Sequence, residues 1–261
     1  MSNRWMYIAA VMCGRYTAAK DFGALMKLVG VILRVPFFAP RYNIAPTQMA
    51  PVIFMEAKRP EMKLMRWGLI PAWAKDENTG KALINARAES LHTRTAFRQA
   101  FQQRRCLVPA DSFYEWQERN GKRQPFRIML KSGAPFCFAG LWDRWTKPPS
   151  PGNFDTDLDE APPSETIESF TIITRPANAA IAPLHDRMPV VLQPNHYGWW
   201  LKGDGPRSES CELALAHPLE EPLKIYPVSN LVNSPQTDDP RCIEPVRIDR
   251  DLFERQWWGE T

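Results

Sequence analysis

The sequence predicts an α+β chain with a mainly antiparallel sheet or barrel at its core and a few peripheral helices. Three observations carry this. Short runs rich in aromatic and β-branched residues dominate the middle of the chain, turn residues separate them, and 25 prolines work against long uninterrupted helices. Proline has no amide hydrogen and its ring clashes with the preceding helical turn. In order, Asp21 to Leu33 places Phe22, Leu25, Met26, Leu28, Val29 and Ile32 on one helical face, weakened by Gly23 and Gly30. Pro46 and Pro51 bracket a turn into an extended stretch, Val52 to Met55, and Met62, Leu64 and Arg66 alternate as a hairpin return strand would. Ala88 to Gln103 reads as a polar-faced helix around Leu91, Ala96, Phe97 and Phe101.

Strands then take over at Cys106 to Val108, Ser112 to Glu118, Pro125 to Leu130, Phe136 to Trp142 and Glu168 to Thr174. Gly121 and Gly133 mark turns. Lys147 to Thr166 and Lys202 to Ser210 read as polar loops, and Asn195 to Leu201 and Arg250 to Trp257 as short helices. Neither loop separates two cores, so one domain is expected over residues 12–261, preceded by an extension at residues 1–11 that does not belong to the mature protein.

Composition narrows the function classes. The formal charge of +4, from 33 basic and 29 acidic residues, permits a polyanionic partner without demanding one. No apolar run is long enough to span a bilayer. The first eleven residues carry a very short apolar stretch, one basic residue and no good cleavage site, so they do not read as a signal peptide. The five cysteines are scattered and include no C-x-x-C pair, which argues against structural zinc and for a reducing, cytoplasmic setting. Cys137, between Phe136 and Phe138, reads as a small buried apolar residue. No metal or organic cofactor is implied.

Chemistry concentrates at Met12-Cys13-Gly14-Arg15. If translation starts at Met12 and that residue is removed, Cys13 carries an α-amine and a thiol on adjacent carbons. An α-amine has a pKa of about 7.7–8.0, so roughly 10–20% of it is the neutral nucleophile at pH 7, against well under about 1% for a surface lysine. Such an amine attacks an aldehyde to give an imine. The thiol then closes on the imine carbon as a five-membered thiazolidine, an intramolecular step of high effective concentration. The product lacks the iminium that β-elimination needs, so a 1,2-aminothiol captures an aldehyde rather than turning it over. An N-terminal Cys is also the nucleophile of some amide hydrolases, and that reading stays open at this point.

Further strings accompany the Cys13 start. They are Arg41-Tyr42-Asn43-Ile44-Ala45-Pro46-Thr47, Arg66-Trp67-Gly68-Leu69-Ile70-Pro71-Ala72-Trp73 and Ile84-Asn85-Ala86-Arg87-Ala88-Glu89. After these come Phe113-Tyr114-Glu115-Trp116, Phe170 to Thr174, and Leu184-His185-Asp186-Arg187-Met188-Pro189, with Val232-Asn233 further on. In this ordered combination, from Cys13 to about Val246, the chain resembles the SRAP (SOS response-associated peptidase) family, whose members occur in bacteria, phage and vertebrates.

The resemblance implies a single SRAP domain around a distorted β-barrel-like core. It implies a basic groove for single-stranded DNA, and a thiazolidine crosslink between the N-terminal Cys and the ring-opened aldehyde of an abasic site. Carried over, Cys13 is the crosslinking residue, Asn85 positions it or the sugar, Glu115 is the acid/base, and His185 assists sugar-ring opening. A carboxyl flanked by aromatics, as Glu115 is, has its pKa raised where it is desolvated. Arg15, Arg87 and Arg187 resemble phosphate binders. Pro46, Trp67, Trp73 and Trp116 resemble residues that stack or wedge against bases, Thr174 contacts the DNA backbone or the site, and Asn43 braces the pocket. The expected partner is single-stranded DNA containing abasic sites, bound by a monomer in the cytoplasm or nucleoid of a bacterium or in a phage-infected cell.

The chain departs from the family pattern in four places. Residues 1–11 precede the start, and with Met12 attached Cys13 has only an amide nitrogen. Either Met12 is the true start, or the chain cleaves itself before Cys13. Tyr114 stands where Phe is common, Arg175 where a small residue is typical, and Ala74 where some relatives have a second Trp. Two other functions fit the same motifs: a cysteine peptidase or amidase with His185 as base, and a non-covalent reader of modified or single-stranded DNA.

Overall fold

The computed structural model describes residues 14–31, 39–119, 121–148, 165–202, 209–217 and 219–248. Cys13, the extension at residues 1–11, most of the two polar loops and the expected helix Arg250 to Trp257 lie outside the described residues. The α+β expectation holds: two sheets form the body, and the helices lie at its periphery.

A closed five-stranded barrel is the centre of the molecule. Its strands are β3 (Met49–Glu56), β4 (Arg59–Trp67), β6 (Arg105–Ala110), β9 (Phe136–Thr146) and β10 (Thr166–Pro176). Neighbours run β10-β4-β3-β6-β9, and β9 pairs back onto β10 from Thr166↔Thr146 to Ile172↔Gly140. All these pairings are antiparallel except β10 on β4, which is parallel at Ser169↔Arg66 and Phe170↔Trp67. Where β4 ends, β5 (Asn85–Arg87) takes its place beside β10, also parallel, and β11 (Arg187–Pro189) and β12 (Val191–Leu192) extend the sheet. The gap between β4 and β5 closes through Gly68, whose φ is +120° and where a Cβ would sit 2.5 Å from the Gly80 carbonyl oxygen. Only glycine satisfies both conditions.

The second sheet runs β13-β8-β7-β1-β2. Its strands are β1 (Tyr16–Ala18), β2 (Arg41–Ile44), β7 (Ser112–Arg119), β8 (Lys122–Leu130) and β13 (Leu223–Pro227). Tyr16 welds the two sheets together. It is fully buried, and its ring meets Trp67 at 5.2 Å and Phe138 at 5.8 Å, both edge-on. Such pairs add about 0.5–1.5 kcal/mol each beyond the area they bury. A buried polar network fixes the same strand from the other side. Asp111 accepts from Thr17 Oγ1, from the Ala19 and Lys20 amides at 2.6 and 2.8 Å, and from Arg127 Nη2 at 3.3 Å. Arg127 also donates to Ser112 Oγ at 2.7 Å and to Tyr226 Oη at 2.7 Å. The enclosed carboxylate is thus surrounded by donors, the condition for a charge to be tolerated there.

The helices are α1 (Gly23–Val29), α2 (Thr95–Gln103), α3 (Tyr197–Lys202) and α4 (Glu209–Ala216). Two differ from expectation. The segment from Ala88 to Gln103 is a short 3-10 turn at Ala88–Ser90 followed by α2, because Arg94 turns extended and the Thr93 and Arg94 amides both return to the Ser90 carbonyl. The first helix ends at Val29, where Gly30 adopts φ +76° and its amide and that of Val31 return to Lys27 and Met26. Helix α4 and strands β1, β2, β5, β11, β12 and β13 go beyond what the sequence predicts.

The unusual residues of the chain have local roles. Arg175 Nη1 donates to the carbonyls of Leu215, Ala216 and His217 at 3.3, 3.4 and 2.9 Å, capping the last turn of α4. The Tyr114 hydroxyl donates to the carbonyls of Tyr42 at 2.8 Å and Cys242 at 3.3 Å. Ala74 is buried, and its carbonyl accepts from Trp145 Nε1 at 2.8 Å. Cys137 is fully buried, and burial raises its thiol pKa far above the ordinary range.

Candidate functional site

Strand β7 brings Glu115, Trp116 and Gln117 to a cleft of about 270 Å³. Glu118, Arg123 of β8 and Pro183-Leu184-His185 complete its lining. Glu115 is only 2% exposed, and Trp116 is half-buried. The loop Asn178–His185 folds onto the cleft through a turn in which Asn178 accepts the Ile181 amide at 3.1 Å and Gln117 Nε2 donates to the Pro183 carbonyl at 3.4 Å. Arg123 lies over the Trp116 ring, 5.5 Å from its centroid.

His185 Nδ1 has two contacts that demand opposite protonation states. It lies 3.1 Å from the Arg187 amide, which needs a lone pair there, and 2.8 Å from Asp186 Oδ1, which needs a proton. Burial lowers the His185 pKa first. Asp186 opposes this, while Arg187 and Arg123 reinforce it. The Asp186 side chain is 85% exposed, so water screens its pull. The amide contact therefore prevails, and the neutral ring carries its proton on Nε2. An NMR titration of the His185 ring is expected to show a midpoint below 6.5, moving upward in Arg123→Gln as one lowering charge is removed. A midpoint above 6.5 in the unaltered protein contradicts this assignment. Because the folded-state pKa is depressed, the stability His185 contributes is present above about 6.5. It is lost as pH falls from there toward the folded-state value.

Strand β1 runs beside β7, with Tyr16 opposite Phe113 and Thr17 opposite Ser112. The Tyr114 amide donates to the Arg15 carbonyl at 3.0 Å, so the ladder continues toward Glu115 as the chain is followed to its N-terminus. The Arg15 guanidinium donates to Asn43 Oδ1 at 3.0 Å, to the Val232 carbonyl and to the Asn233 carbonyl at 3.2 Å. Burial lowers its pKa. Arg15 therefore pins β1 to the segment 230–238 through Nη1 and Nη2. Asn43 is fully buried, and its Nδ2 donates to the carbonyls of Val232, Ser234 and Thr237 at 3.2, 2.9 and 2.7 Å. Asp238 accepts from the Tyr42 and Asn43 amides and pairs with Arg41.

A second group sits on β5, β10 and β11. Asn85 is half-buried opposite Ile172, Arg87 is exposed opposite Thr174, and Thr174 is enclosed with Oγ1 3.4 Å from the Ala86 carbonyl. Arg187 forms a two-bond pair with the Glu89 carboxylate at 2.9 Å each and donates to the Thr174 carbonyl at 2.8 Å. A phosphate at Arg187 must replace Glu89. Arg87 is exposed and feels the same Glu89 carboxylate only through its charge.

The remaining candidates stand apart. Trp73 is 57% exposed on a loop whose flanks are held by Asp143 and Trp145, so its ring is available for stacking. Pro46 is half-buried beside Thr47, whose φ of +73° is held by its amide bond to the Trp67 carbonyl at 2.8 Å. Trp67 corrects the expectation of base stacking. It is fully buried, its Nε1 donates to the Ile84 carbonyl at 2.9 Å, and its ring lies parallel to Phe170. It has no open face and serves as packing behind the site. Sequence reasoning gave no role to Arg123 and Gln117, which line the cleft, or to Asn233. The quoted Val232-Asn233 string was the only signal for any of them. Among the described residues, no three His, Cys, Asp or Glu side chains converge as metal ligands.

Fold and cleft together define a single-domain barrel protein that sets a buried carboxyl, a neutral imidazole and an indole beside the first strand among the described residues. The chain belongs to the SOS response associated peptidase (SRAP) family, whose model matches residues 12–235. It is 37% identical over 236 residues to the abasic site processing protein YoqW of Bacillus subtilis, covering 89% of this chain and 99% of that protein. It is 31% identical to the mouse abasic site processing protein HMCES, over 81% of this chain and 66% of that protein. A crystal structure of a Bacteroides thetaiotaomicron protein superposes with a TM-score of 0.74 at 24% identity, over 90% of this chain and all of the other, and shares the fold. No helix among the described residues is long and apolar enough to cross a membrane.

Proposed function

We propose that the protein processes abasic sites in single-stranded DNA by covalent capture on Cys13. The observation that carries the reading is the shared cleft of Glu115 and His185 beside the start of β1, where Gly14 directly follows Cys13. The names of the relatives point to the same substrate.

In this reading His185 moves a proton as the deoxyribose ring opens to the aldehyde. The Cys13 α-amine adds to C1, and Glu115 protonates the departing hydroxyl, so that one water leaves as the C=N bond forms. The Cys13 thiol then adds across C=N, its proton passing to nitrogen, and the thiazolidine closes. Trp116 and Trp73 stack flanking bases and Arg87 contacts phosphate. The mature chain begins at Cys13 and acts as a monomer in a bacterial or phage DNA damage response.

Protein beginning at Cys13, and protein retaining residues 1–12, are mixed with an oligonucleotide carrying one abasic site and run on a denaturing gel. A slow band with the first protein only is expected. A band of equal strength from intact-mass-verified protein that retains residues 1–12 refutes the amine-first capture. Binding with no band favours a non-covalent reader, and turnover of a peptide substrate favours an amidase.

A further inference from the structure

We propose that Asn233 is a positioning residue that sets the orientation of the Trp116 indole for DNA and joins it to Arg15. This rests on the DNA reading above. Trp116 Nε1 donates to Asn233 Oδ1 at 2.7 Å, and the Asn233 main-chain carbonyl accepts from Arg15 Nη2 at 3.2 Å. The amide orientation is fixed by chemistry: an indole N–H only donates, so the oxygen of Asn233 must face it. Its Nδ2 then turns to Asn230 Oδ1, 3.3 Å away.

The residue is itself held in place. It ends the 3-10 turn Asn230–Asn233, where the Ser229 side chain accepts the Leu231 amide at 3.3 Å. The chain on either side is laced to β2 by the three carbonyl bonds of Asn43 and by Asp238. Gln48 Nε2 adds a bond to the Pro235 carbonyl at 3.2 Å. Asn233 therefore grips the edge of an indole whose face carries Arg123. A stacking ring already fixed in its binding rotamer loses less freedom when a base settles on it. The two bonds of Asn233 separate cleanly, because the Trp116 contact uses the side chain and the Arg15 contact uses the main chain. Asn233→Ala deletes the first and keeps the second.

The test uses the protein beginning at Cys13. In Asn233→Ala the half-saturating concentration of an abasic oligonucleotide is expected to rise about fivefold, the worth of one ordinary hydrogen bond, while the crosslinking rate at saturating DNA holds. In a Trp116→Phe background, which lacks the indole N–H, Asn233→Ala is expected to add nothing further. The ¹⁵N–¹H resonance of the Trp116 indole, assigned by its loss in Trp116→Phe, is expected to shift upfield in Asn233→Ala and to stay in place in Asn233→Asp, which retains an acceptor. An unmoved resonance in Asn233→Ala, or an equal loss of affinity in both backgrounds, overturns the proposal. If the unaltered protein forms no crosslink, the abasic-site reading fails. The indole resonance and the affinity for an intact oligonucleotide then still decide the role of Asn233.

Discussion

Cys13→Ala and Cys13→Ser are both expected to abolish the denaturation-resistant band with abasic DNA and to replace it with strand cleavage. Both variants keep an α-amine, so both still form an imine. What they lose is the ring closure. An adjacent thiol attacks at an effective concentration on the order of 10⁵–10⁸ M, which no thiol in solution matches. A hydroxyl is a far weaker trap, so the imine in the Ser variant persists long enough for β-elimination. Borohydride converts that imine to a stable amine and is expected to restore a band for both variants. A Ser variant that neither cleaves nor is trapped by borohydride counts against attack by the amine. A full-strength band from Cys13→Ala counts against the whole assignment.

Glu115→Gln is expected to slow crosslinking at saturating abasic DNA by at least about a hundredfold, the usual worth of a placed general acid. The substitution keeps the shape of a side chain that is 2% exposed and replaces its ionisable carboxyl with an amide that gives up no proton near neutral pH. Affinity for an intact oligonucleotide is expected not to fall, because the lost carboxyl sits beside a polyanion. Single-turnover rates measured over a range of DNA concentrations separate the two effects. A rate within about threefold of the unaltered protein removes Glu115 from the proton-transfer role.

Much of the two sheets was legible in the sequence because their longer strands are short apolar runs set between turn residues. Strand β3, the β7–β8 hairpin around Gly121, and β9 through Phe136 and Phe138 are buried along most of their length, which short apolar runs bounded by turn residues record by themselves. What stayed illegible depends on distant partners. Arg15 reads as a phosphate binder in isolation, but two of its three acceptors lie 217 and 218 residues away. Trp67 looks like a stacking platform until the parallel strand β10 lays Phe170 against it. Helix α4 escaped notice because its buried residues, Cys211, Ala214 and Leu215, form a weak stripe beside an exposed Leu213. Strand β13 is five residues long, ends in proline and gains its identity from pairing with β8. Within the cleft, Glu115 and His185 were named from their motifs, whereas Arg123 and Asn233 become visible only once hairpin and loop converge on Trp116.

The place of β1 in its sheet has a mechanical corollary. Any polymer joined to the residue before Gly14 pulls on a strand that is hydrogen-bonded to β7 on one flank and β2 on the other. A tether on a border strand unzips one bond at a time under load. Here the Arg15 clasp and the ladders on both flanks must give way before β1 leaves its sheet, so under the proposed attachment a motor enzyme tugging on the DNA is expected to meet resistance from the body of the fold.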